Sequence, residues 1–279
     1  MTQKRCMAYL GPEGTYSEEV ARFLAKDEWR LQGFPSIEDA MWAVAQGEAD
    51  CCVVPFENSW EGSVNVTLDL LVHELDLFIQ QDVRWPIRHD LWVAQACEKP
   101  NSILSHPQAL AQCRAFLGRR YPQAARIPVV STAEAARRVA SGDGDAAIGS
   151  SLLGELYGLK LLERGIQDDE GNCTRFVLLV KEPVSCRGES VQTSLICRID
   201  GEKPGRLYEL LAEFAKREVN LTRIESRPAR TKMGEYVFLM DVDGDAAQPK
   251  IAEAIKAVQG RCVWMKNLGS YSVHYEANQ

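Results

Sequence analysis

Residues 171–180 read Gly-Asn-Cys-Thr-Arg-Phe-Val-Leu-Leu-Val, and this stretch is central to the predicted fold. The apolar run 177–180 predicts a buried strand, and the Gly-Asn pair before it is typical of a turn. Thr174 and Arg175 are therefore expected where a loop enters that strand. Their hydroxyl and guanidinium, with the ring of Phe176, can bind and protonate a small anion. The same residues are also typical of an ordinary strand start, since Thr and Phe favour strands.

Composition narrows the class of protein. The 279 residues suffice for two domains, and 46% hydrophobic with 25% charged residues is ordinary for a soluble globular protein. The net charge of −7 argues against a general binder of nucleic acids or membrane surfaces. Nine cysteines without C-x-x-C spacing favour buried thiols in a reducing compartment, so we expect a cytoplasmic protein. No signal core or membrane-length apolar segment occurs, and the four histidines lack metal-ligand spacing.

Polar loops follow two strands in the first half of the chain. The strand at 7–10 enters a glycine-bearing loop at 11–17, which precedes a helix and offers backbone N–H groups to an anion. The strand at 51–54 enters a second polar loop at 55–64. Ligands collect at the carboxyl ends of strands in open α/β sheets, so we expect one shared site. The absence of G-x-G-x-x-G and Walker patterns argues against a dinucleotide or a nucleoside triphosphate.

The α/β rhythm repeats and predicts a two-lobed clamp. We expect lobe 1 at about 1–76 and 165–181 and lobe 2 at about 77–164, with polar loops of the two lobes facing each other across a cleft. Residues 182–190 are typical of a polar linker. The pattern of 191–279 predicts strand, helix, two strands, helix and strand, a ferredoxin-like module.

Six segments in this order resemble the prephenate dehydratase family, in its single-activity form with a C-terminal ACT regulatory domain. They are GPEGTYS (11–17), PFENSWEGSV (55–64), SHPQALAQC (105–113), AAIGS (146–150), NCTRF (172–176) and NLTRIESRP (220–228). The resemblance implies a two-lobed α/β catalytic domain, like a periplasmic binding protein, followed by an α+β ferredoxin-like ACT domain. No helical chorismate mutase segment precedes the first strand, so we expect no fused mutase.

The resemblance also implies the reaction. Prephenate loses its ring hydroxyl as water together with CO2 and becomes phenylpyruvate, a lyase step of phenylalanine biosynthesis that needs no cofactor or metal. Thr174 is implied as the essential residue, a hydrogen-bond donor or proton relay, with Glu57 as the alternative proton donor. Arg175 would offer a fork to a substrate carboxylate, and Phe176 completes the motif. Successive strand side chains point to opposite faces, so Thr174 and Arg175 cannot both face the cleft if the strand is regular there.

Further site residues follow from the same resemblance. The expected substrate contacts are Thr15, Asn58, Ser59, Gly62, Ser63, Ser105, Gln108 and Ser150. His106 is open between a structural hydrogen bond and a site role. The effector, phenylalanine, is expected between two ACT modules, at Gly205, Arg206, Leu207, Asn220, Leu221, Glu225, Ser226, Arg227 and Pro228. A site shared by two modules requires at least a homodimer, or else a homotetramer.

Two alternatives remain open at this level. Arogenate dehydratase performs the same chemistry on the transaminated substrate, and the contact that would discriminate the two is not identifiable from the sequence. A non-catalytic amino-acid sensor could also combine a clamp with an ACT module, but it has no need for the Thr174 motif. Effector binding is expected to reorient the lobes through the linker.

Overall fold

The computed structural model describes residues 4–26, 28–94, 97–186, 190–200, 204–231 and 235–275. Part of the predicted linker, 187–189, lies outside these ranges. The first elements in chain order are β1 (Arg5–Leu10), α1 (Tyr16–Ala25), β2 (Trp29–Phe34), α2 (Ile37–Gln46), β3 (Cys51–Asn58), β4 (Gly62–Ser63), α3 (Asn65–His73) and β5 (Phe78–Pro86). No sequence pattern considered above predicts β2.

The middle of the chain forms a smaller α/β unit. Its elements are β6 (Asp90–Val93), β7 (Ser102–Ser105), α4 (Pro107–Gln112), α5 (Arg114–Arg120), β8 (Ala125–Pro128), α6 (Thr132–Ala140), β9 (Ala146–Gly149), α7 (Leu152–Tyr157) and β10 (Lys160–Glu163). Their five strands form one sheet in the order β10-β6-β9-β7-β8. Three buried alanines of α6, at 133, 135 and 136, let this helix pack closely against β7 and β9.

The chain then returns to the first lobe and continues into the C-terminal module. The remaining elements are β11 (Cys173–Val180), β12 (Val191–Arg198), α8 (Arg206–Ala215), β13 (Leu221–Pro228), β14 (Tyr236–Asp243), α9 (Pro249–Gln259) and β15 (Trp264–Tyr275). The order β12-α8-β13-β14-α9-β15 confirms the ferredoxin-like module. The two-lobed arrangement before it is confirmed as well.

The strand β11 lies at the centre of the larger sheet, between β3 and β5 and antiparallel to both. Its side chains alternate between two apolar cores: Val177 and Leu179 pack on one face, and Phe176 and Leu178 pack on the other. Helices cover the sheet on both sides of β11, which explains the uninterrupted apolar run that follows Arg175. The entrance of this strand is therefore a rigid platform for its first residues.

The larger sheet has ten strands and extends from the first lobe into the C-terminal module. The join is a parallel pairing of residues 272–275 in β15 with residues 81–84 in β5. The sequence predicts the last strand only at 262–265, whereas β15 runs to Tyr275. Its second half pairs with a strand far away in the sequence, and local patterns do not report such pairing.

The pairing of β5 with β11 also moves a predicted boundary. We expected the second lobe to begin near residue 77, but β5 belongs to the larger sheet. The crossing between the lobes therefore lies between Pro86 and Asp90, and the return crossing lies between Glu163 and Cys173. Among the described residues, no helix is both long and apolar enough to cross a membrane.

Candidate active site

A cavity of about 270 Å³ lies between the two lobes. The first lobe contributes the loop before α1, the end of β3 and the start of β11, and the second lobe contributes the starts of α4 and α6. Its wall consists of Leu10, Thr15, Tyr16, Ser17, Pro55, Asn58, Ile87, His89, His106, Gln108, Ala109, Gln112, Val130, Ser131, Thr132, Asn172, Thr174 and Phe176. Polar loops from both lobes meet here, as the sequence predicts.

The hydroxyl of Thr174 lies in the wall of this cavity. It accepts a hydrogen bond of 2.9 Å from Asn58 Nδ2, and the residue is 8% exposed. Within the described residues, the hydroxyl proton has no acceptor of its own. The register explains the contact, because Thr174 in β11 lies directly opposite Asn58 in β3. The Thr174 proton is therefore available to a ligand in the cavity.

The side chain of Asn58 is oriented by the backbone. The N–H groups of Trp60 and Glu61 donate to its Oδ1 at 3.0 and 3.2 Å. Its Nδ2 therefore points the other way and donates to Thr174 and to Asn172 Oδ1. Asn58 thus links a tight turn after β3 to the entrance of β11. An amide donor left without a partner at such a buried site costs about 1–3 kcal/mol.

A buried histidine borders the cavity at the lobe crossing. His89 Nε2 lies 2.7 Å from Gln112 Oε1, and its Nδ1 lies 2.9 Å from the Tyr16 hydroxyl. Burial lowers the pKa of His89, although the hydrogen bond to Gln112 opposes this shift. A neutral ring therefore ties α1 of the first lobe to α4 of the second. Burial also raises the pKa of Tyr16.

Arg175 does not reach the cavity, in contrast to its predicted role as a carboxylate fork. Its guanidinium donates to Asp82 Oδ2 at 2.6 Å, to Asp241 Oδ2 at 2.5 Å and to the Tyr271 hydroxyl at 2.8 Å. The side chain is 2% exposed. Burial lowers its pKa, but the charges of Tyr271, Asp241 and Asp82 outweigh burial and raise it. The side-chain alternation of a regular strand turns Arg175 away from Thr174.

Glu57 also lies on the far side of the sheet. Its carboxylate is 3.8 Å from Arg175 and 3.5 Å from Arg223 of the C-terminal module. It precedes Asn58 in β3, so its side chain points to the opposite face. The geometry therefore does not support Glu57 as the proton donor of the cleft.

The loop after β3 contacts the C-terminal module as well. Ser63 hydrogen-bonds to Glu225 and Arg223, and the hydroxyl of Ser59 accepts from the N–H of Cys173 at 3.0 Å. Gly62 is exposed in β4, with a positive φ of 79°. These three predicted substrate contacts do not line the cavity. They instead shape the turn and its interface with the C-terminal module.

Two predicted serines have structural partners. Ser105 is fully buried and donates to the Ile148 carbonyl at 2.8 Å, and Ser150 donates to the Gly14 carbonyl at 3.2 Å. Neither lines the cavity. Ser150 joins the two lobes, because Gly14 belongs to the first lobe.

Several other predicted residues do meet in the cavity. Thr15 caps α1 by accepting from the N–H of Glu18. His106 caps α4, and its Nδ1 accepts from the N–H of Gln108 at 3.3 Å. Phe176 lies on the same strand face as Thr174. His106 thus combines a structural hydrogen bond with a place at the cavity wall.

Seven polar residues of the cavity wall have no site role in the sequence-based prediction: Tyr16, Ser17, His89, Gln112, Ser131, Thr132 and Asn172. Asn172 belongs to the stretch 171–180, where the sequence predicts it only as part of a turn. His89 lies between Arg88 and Asp90 at the crossing between the lobes, and Gln112 lies within the segment 105–113. Gln112 follows Gln108 by one helical turn in α4, and this i, i+4 spacing on one helix face is the signal that could have singled it out.

The predicted effector residues are divided between two ends of the C-terminal module. Asn220 and Leu221 lie next to Val242 and Asp243, whereas Arg227 and Pro228 lie next to Val237 and Tyr236. Glu225 and Arg227 turn towards the first lobe, where Arg227 donates to Asp69 at 2.6 Å. The segment Gly205, Arg206 and Leu207 opens α8, with Gly205 at a φ of 83°. The side chain of Ser226 faces solvent.

A second cavity, of about 800 Å³, lies on the other side of Tyr16. Its charged wall contains both signs: Glu19, Arg22, Arg88, Asp90, Arg164 and Glu170. Burial raises the pKa of Glu19, against hydrogen bonds from Trp85 and the neighbouring serines. Thr174 does not border this space. The smaller cavity is therefore the candidate active site.

Two protein-family models match successive parts of the chain. The prephenate dehydratase family model matches residues 7–184, and the ACT domain model matches 193–260. A prephenate dehydratase of Lactococcus lactis subsp. cremoris is 36% identical over 274 residues, 96% of this chain and 98% of its own length.

Two solved structures are similar over nearly the whole chain. The prephenate dehydratase of Arthrobacter aurescens in complex with L-Phe is 32% identical, with a TM-score of 0.87 over 96% of this chain and 90% of that one. GqqA, described as a novel type of quorum quenching acylase, is 29% identical, with a TM-score of 0.86 over 96% and 98%. The chain belongs to the prephenate dehydratase family of lyases and carries a C-terminal ACT domain.

Proposed function

We propose that prephenate binds in the cavity between the lobes and that Thr174 assists the departure of its ring hydroxyl. One observation carries this assignment. The Thr174 hydroxyl accepts from Asn58 and, in the described part of the chain, holds a proton that no protein group accepts. A hydroxyl whose oxygen already accepts a hydrogen bond is a better donor through its own proton.

The reaction balances with one proton. The bond between the ring and its carboxylate breaks, its electron pair enters the ring, and CO2 leaves. The ring bond to the hydroxyl breaks at the opposite carbon, and the hydroxyl departs with its electron pair. This oxygen takes up a proton and leaves as water, while the ring becomes aromatic. Thr174 acts by hydrogen bonding that strengthens as the oxygen gains charge, and it relays the proton from solvent.

Asn58 is a positioning residue in this proposal. Its Oδ1 is held by two backbone N–H groups, so its Nδ2 keeps the Thr174 hydroxyl in one rotamer. The lone pair of Thr174 that faces Asn58 is occupied, and its proton therefore points to the cavity. Preorganised donors of this kind lose little energy to rearrangement during the reaction.

Neutral donors are proposed to hold the two carboxylates of the substrate. No arginine or lysine borders the cavity among the described residues. The starts of α1 and α6 do border it, through Thr15 to Ser17 and through Ser131 and Thr132. Helix N-termini with hydroxyl side chains favour anions. Thr15 and Gln108 remain the substrate contacts proposed from the sequence.

Regulation by L-phenylalanine is proposed through the ACT domain. The Arthrobacter relative is solved with L-Phe. A second copy of the chain would complete the effector site at the opening of α8 and along the edge strand β13. Tyr208 on α8, Ile224 on β13 and Tyr236 on the neighbouring β14 are exposed, and an apolar contact with a second copy would cover them. We therefore propose at least a homodimer.

The domain limits are proposed as a catalytic part up to about 181, a linker and an ACT part from about 191. The sheet continues across this boundary and one apolar core joins residues of both parts, whereas α8 and α9 cover a core that belongs to the ACT part alone. We propose the cytoplasm as the compartment, because all nine cysteines are free. Burial raises the pKa of Cys51, for example, to about 12, so this thiol stays protonated.

The test is phenylpyruvate formation from prephenate by wild type, Thr174→Ala, Thr174→Ser and Glu57→Gln, with and without L-phenylalanine. We expect Thr174→Ala to lose activity by about 10²–10⁴-fold, Thr174→Ser to retain part of it and Glu57→Gln to remain near wild type. If Glu57→Gln loses activity while Thr174→Ala keeps the activity of wild type, Glu57 and not Thr174 is the proton donor.

The same preparation separates the alternatives. Turnover of arogenate but not of prephenate would identify the rival dehydratase. Inactivity on both substrates, with L-phenylalanine still bound, would favour the sensor. Hydrolysis of an acylated substrate would relate the chain to the acylase, although the residues that line the cavity do not favour that reaction.

A further inference from the structure

Asn172 is a buried amide with a specific place in the cavity wall. It immediately precedes β11, is 2% exposed and borders the cavity beside Thr174. Its backbone carbonyl accepts from the N–H of Ile87 at 2.8 Å. The two crossings between the lobes are therefore tied together at this residue, which holds its side chain in one position.

One end of the Asn172 amide is occupied and the other is free. Its Oδ1 accepts from Asn58 Nδ2 at 3.1 Å and lies 3.5 Å from the Ser59 hydroxyl. The orientation of the amide follows from that of Asn58, whose Nδ2 side is set by the backbone of the turn. Asn172 Nδ2 is buried and has no hydrogen-bond partner in the described part of the chain. A buried unpaired donor in a cavity wall calls for an acceptor on a ligand.

The free donor and the Thr174 hydroxyl belong to one cluster. Thr174 Oγ1 and Asn172 Oδ1 both lie within 3.1 Å of the same atom, Asn58 Nδ2. The two side chains therefore meet a ligand at the same end of the cavity. An oxygen placed against the Thr174 proton is also within reach of the amide.

We propose that Asn172 Nδ2 donates a hydrogen bond to the departing hydroxyl oxygen of the substrate, as a second donor beside Thr174. This inference rests on the proposed function. As the ring bond to this oxygen breaks, the oxygen takes the electron pair and gains negative charge. Thr174 delivers the proton, and the amide stabilises the charge without giving up a proton. Two fixed donors on one developing anion act as an oxyanion hole does.

Asn172→Asp is the decisive variant, because it is isosteric and keeps an oxygen for Asn58 while it removes the donor. We expect kcat and kcat/KM to fall together, by about 10²–10³-fold at pH 8. Burial raises the pKa of the introduced carboxyl, and its neutral form regains an O–H donor. The variant should therefore recover activity, relative to wild type, as the pH falls. A merely structural role would show the same recovery in thermal stability, so the melting temperature of the variant is measured at each pH beside its activity.

Two further variants complete the experiment. Asn172→Ala should lower kcat to a similar extent at every pH. Asn267→Asp is the matched control, since its Oδ1 also accepts one hydrogen bond, from the N–H of Gly269 at 2.8 Å, but the residue is exposed on β15 and does not line the cavity. It should leave kcat, KM and the pH profile unchanged. Thermal unfolding of each variant reports whether the fold is retained.

The outcomes are distinct. Activity of Asn172→Asp within about threefold of wild type at pH 8 would overturn the inference, because removal of an oxyanion-hole donor costs far more. A rise in KM with kcat unchanged would also overturn it, since the amide would then hold a carboxylate equally in ground and transition states. Wild type that fails to convert prephenate would contradict the proposed function itself, whatever the variants do.

Discussion

Thr174 and Arg175 are neighbours in β11, yet they serve opposite sides of the sheet. Thr174 faces the cavity between the lobes and contacts Asn58, whereas Arg175 faces the ACT domain, 2.5 Å from Asp241. One peptide unit thus separates the hydroxyl that we propose as the proton donor from a buried charged contact between the two parts of the chain. Any movement of the ACT domain that displaces Arg175 must act on the backbone of Thr174.

Arg175→Leu should strongly destabilise the protein. It removes the cation from two buried carboxylates, Asp82 and Asp241, which are 0% and 1% exposed. The loss should be about 3–5 kcal/mol in the free energy of unfolding, measured with urea. The control is Arg84→Leu, which removes a less buried partner of Asp82 and leaves Arg175 in place. Equal losses in the two variants would contradict the central role of Arg175.

Tyr271→Phe should weaken inhibition by L-phenylalanine. The hydroxyl of Tyr271 contacts Arg175 at 2.8 Å and Ser194 at 2.6 Å, so it joins the ACT sheet to the residue after Thr174. We expect the concentration of half-inhibition to rise by roughly fivefold or more, with a smaller change in kcat without effector. Tyr275→Phe, in the same strand but 71% exposed, is the control. An unchanged inhibition curve for Tyr271→Phe would contradict coupling through Tyr271 and would favour the linker as the route of inhibition.

Gly14→Ala should disturb the contact between the lobes. Gly14 has a φ of 91°, and an added Cβ would lie 2.8 Å from Leu153 Cδ2 in the second lobe. Gly47→Ala is matched in backbone strain, at a φ of 81°, but its Cβ would meet nothing within 4 Å. Backbone strain costs about 1–2 kcal/mol in either variant, and overpacking adds about 1–3 kcal/mol at Gly14 only.

The readouts for these glycines are urea denaturation and kcat/KM. Gly14→Ala should lose more stability and more activity than Gly47→Ala, because Leu153 is fully buried and its side chain has little room to move away from the added methyl group. Similar values in both variants would show that the lobes absorb the extra methyl group without cost.

His89→Gln should reduce the pH dependence of stability. Burial lowers the pKa of His89 below its ordinary value of 6.5, so the unfolded chain binds the proton more readily than the folded one. Stability from this group is complete above pH 6.5 and is lost as the pH falls below that value. Wild type should therefore lose more of its free energy of unfolding than the variant between pH 7.5 and 5.5.

Thermal or urea unfolding across this pH range measures the difference. The carboxyls of Glu19 and Asp82, whose pKa values burial raises, act with the opposite sign but are common to both proteins. An identical pH dependence of wild type and His89→Gln would show that His89 takes up its proton in the folded state.

Local patterns in the sequence predict much of the fold and the centre of the site. The apolar run after Phe176 identifies the buried strand, and the polar loops at 11–17 and 55–64 locate two walls of the cleft. Thr15, Asn58, Gln108, Thr174 and Phe176 all border the cavity. The loops meet at the cavity because strand ends and helix starts are local features of the sequence, whereas the residues named within them follow from the family resemblance, and their roles stay predictions.

What the sequence by itself determined is which elements form and which residues stand at their ends. Only the tertiary structure decided which face each residue presents and what lies against that face. Glu57 and Arg175 are in the right segments, but the two-residue period of β3 and β11 turns them towards the ACT domain. The register of those strands, and the pairing of β15 with β5, join residues far apart in the chain. Such pairings depend on packing and burial across the whole sheet, and no local propensity encodes them.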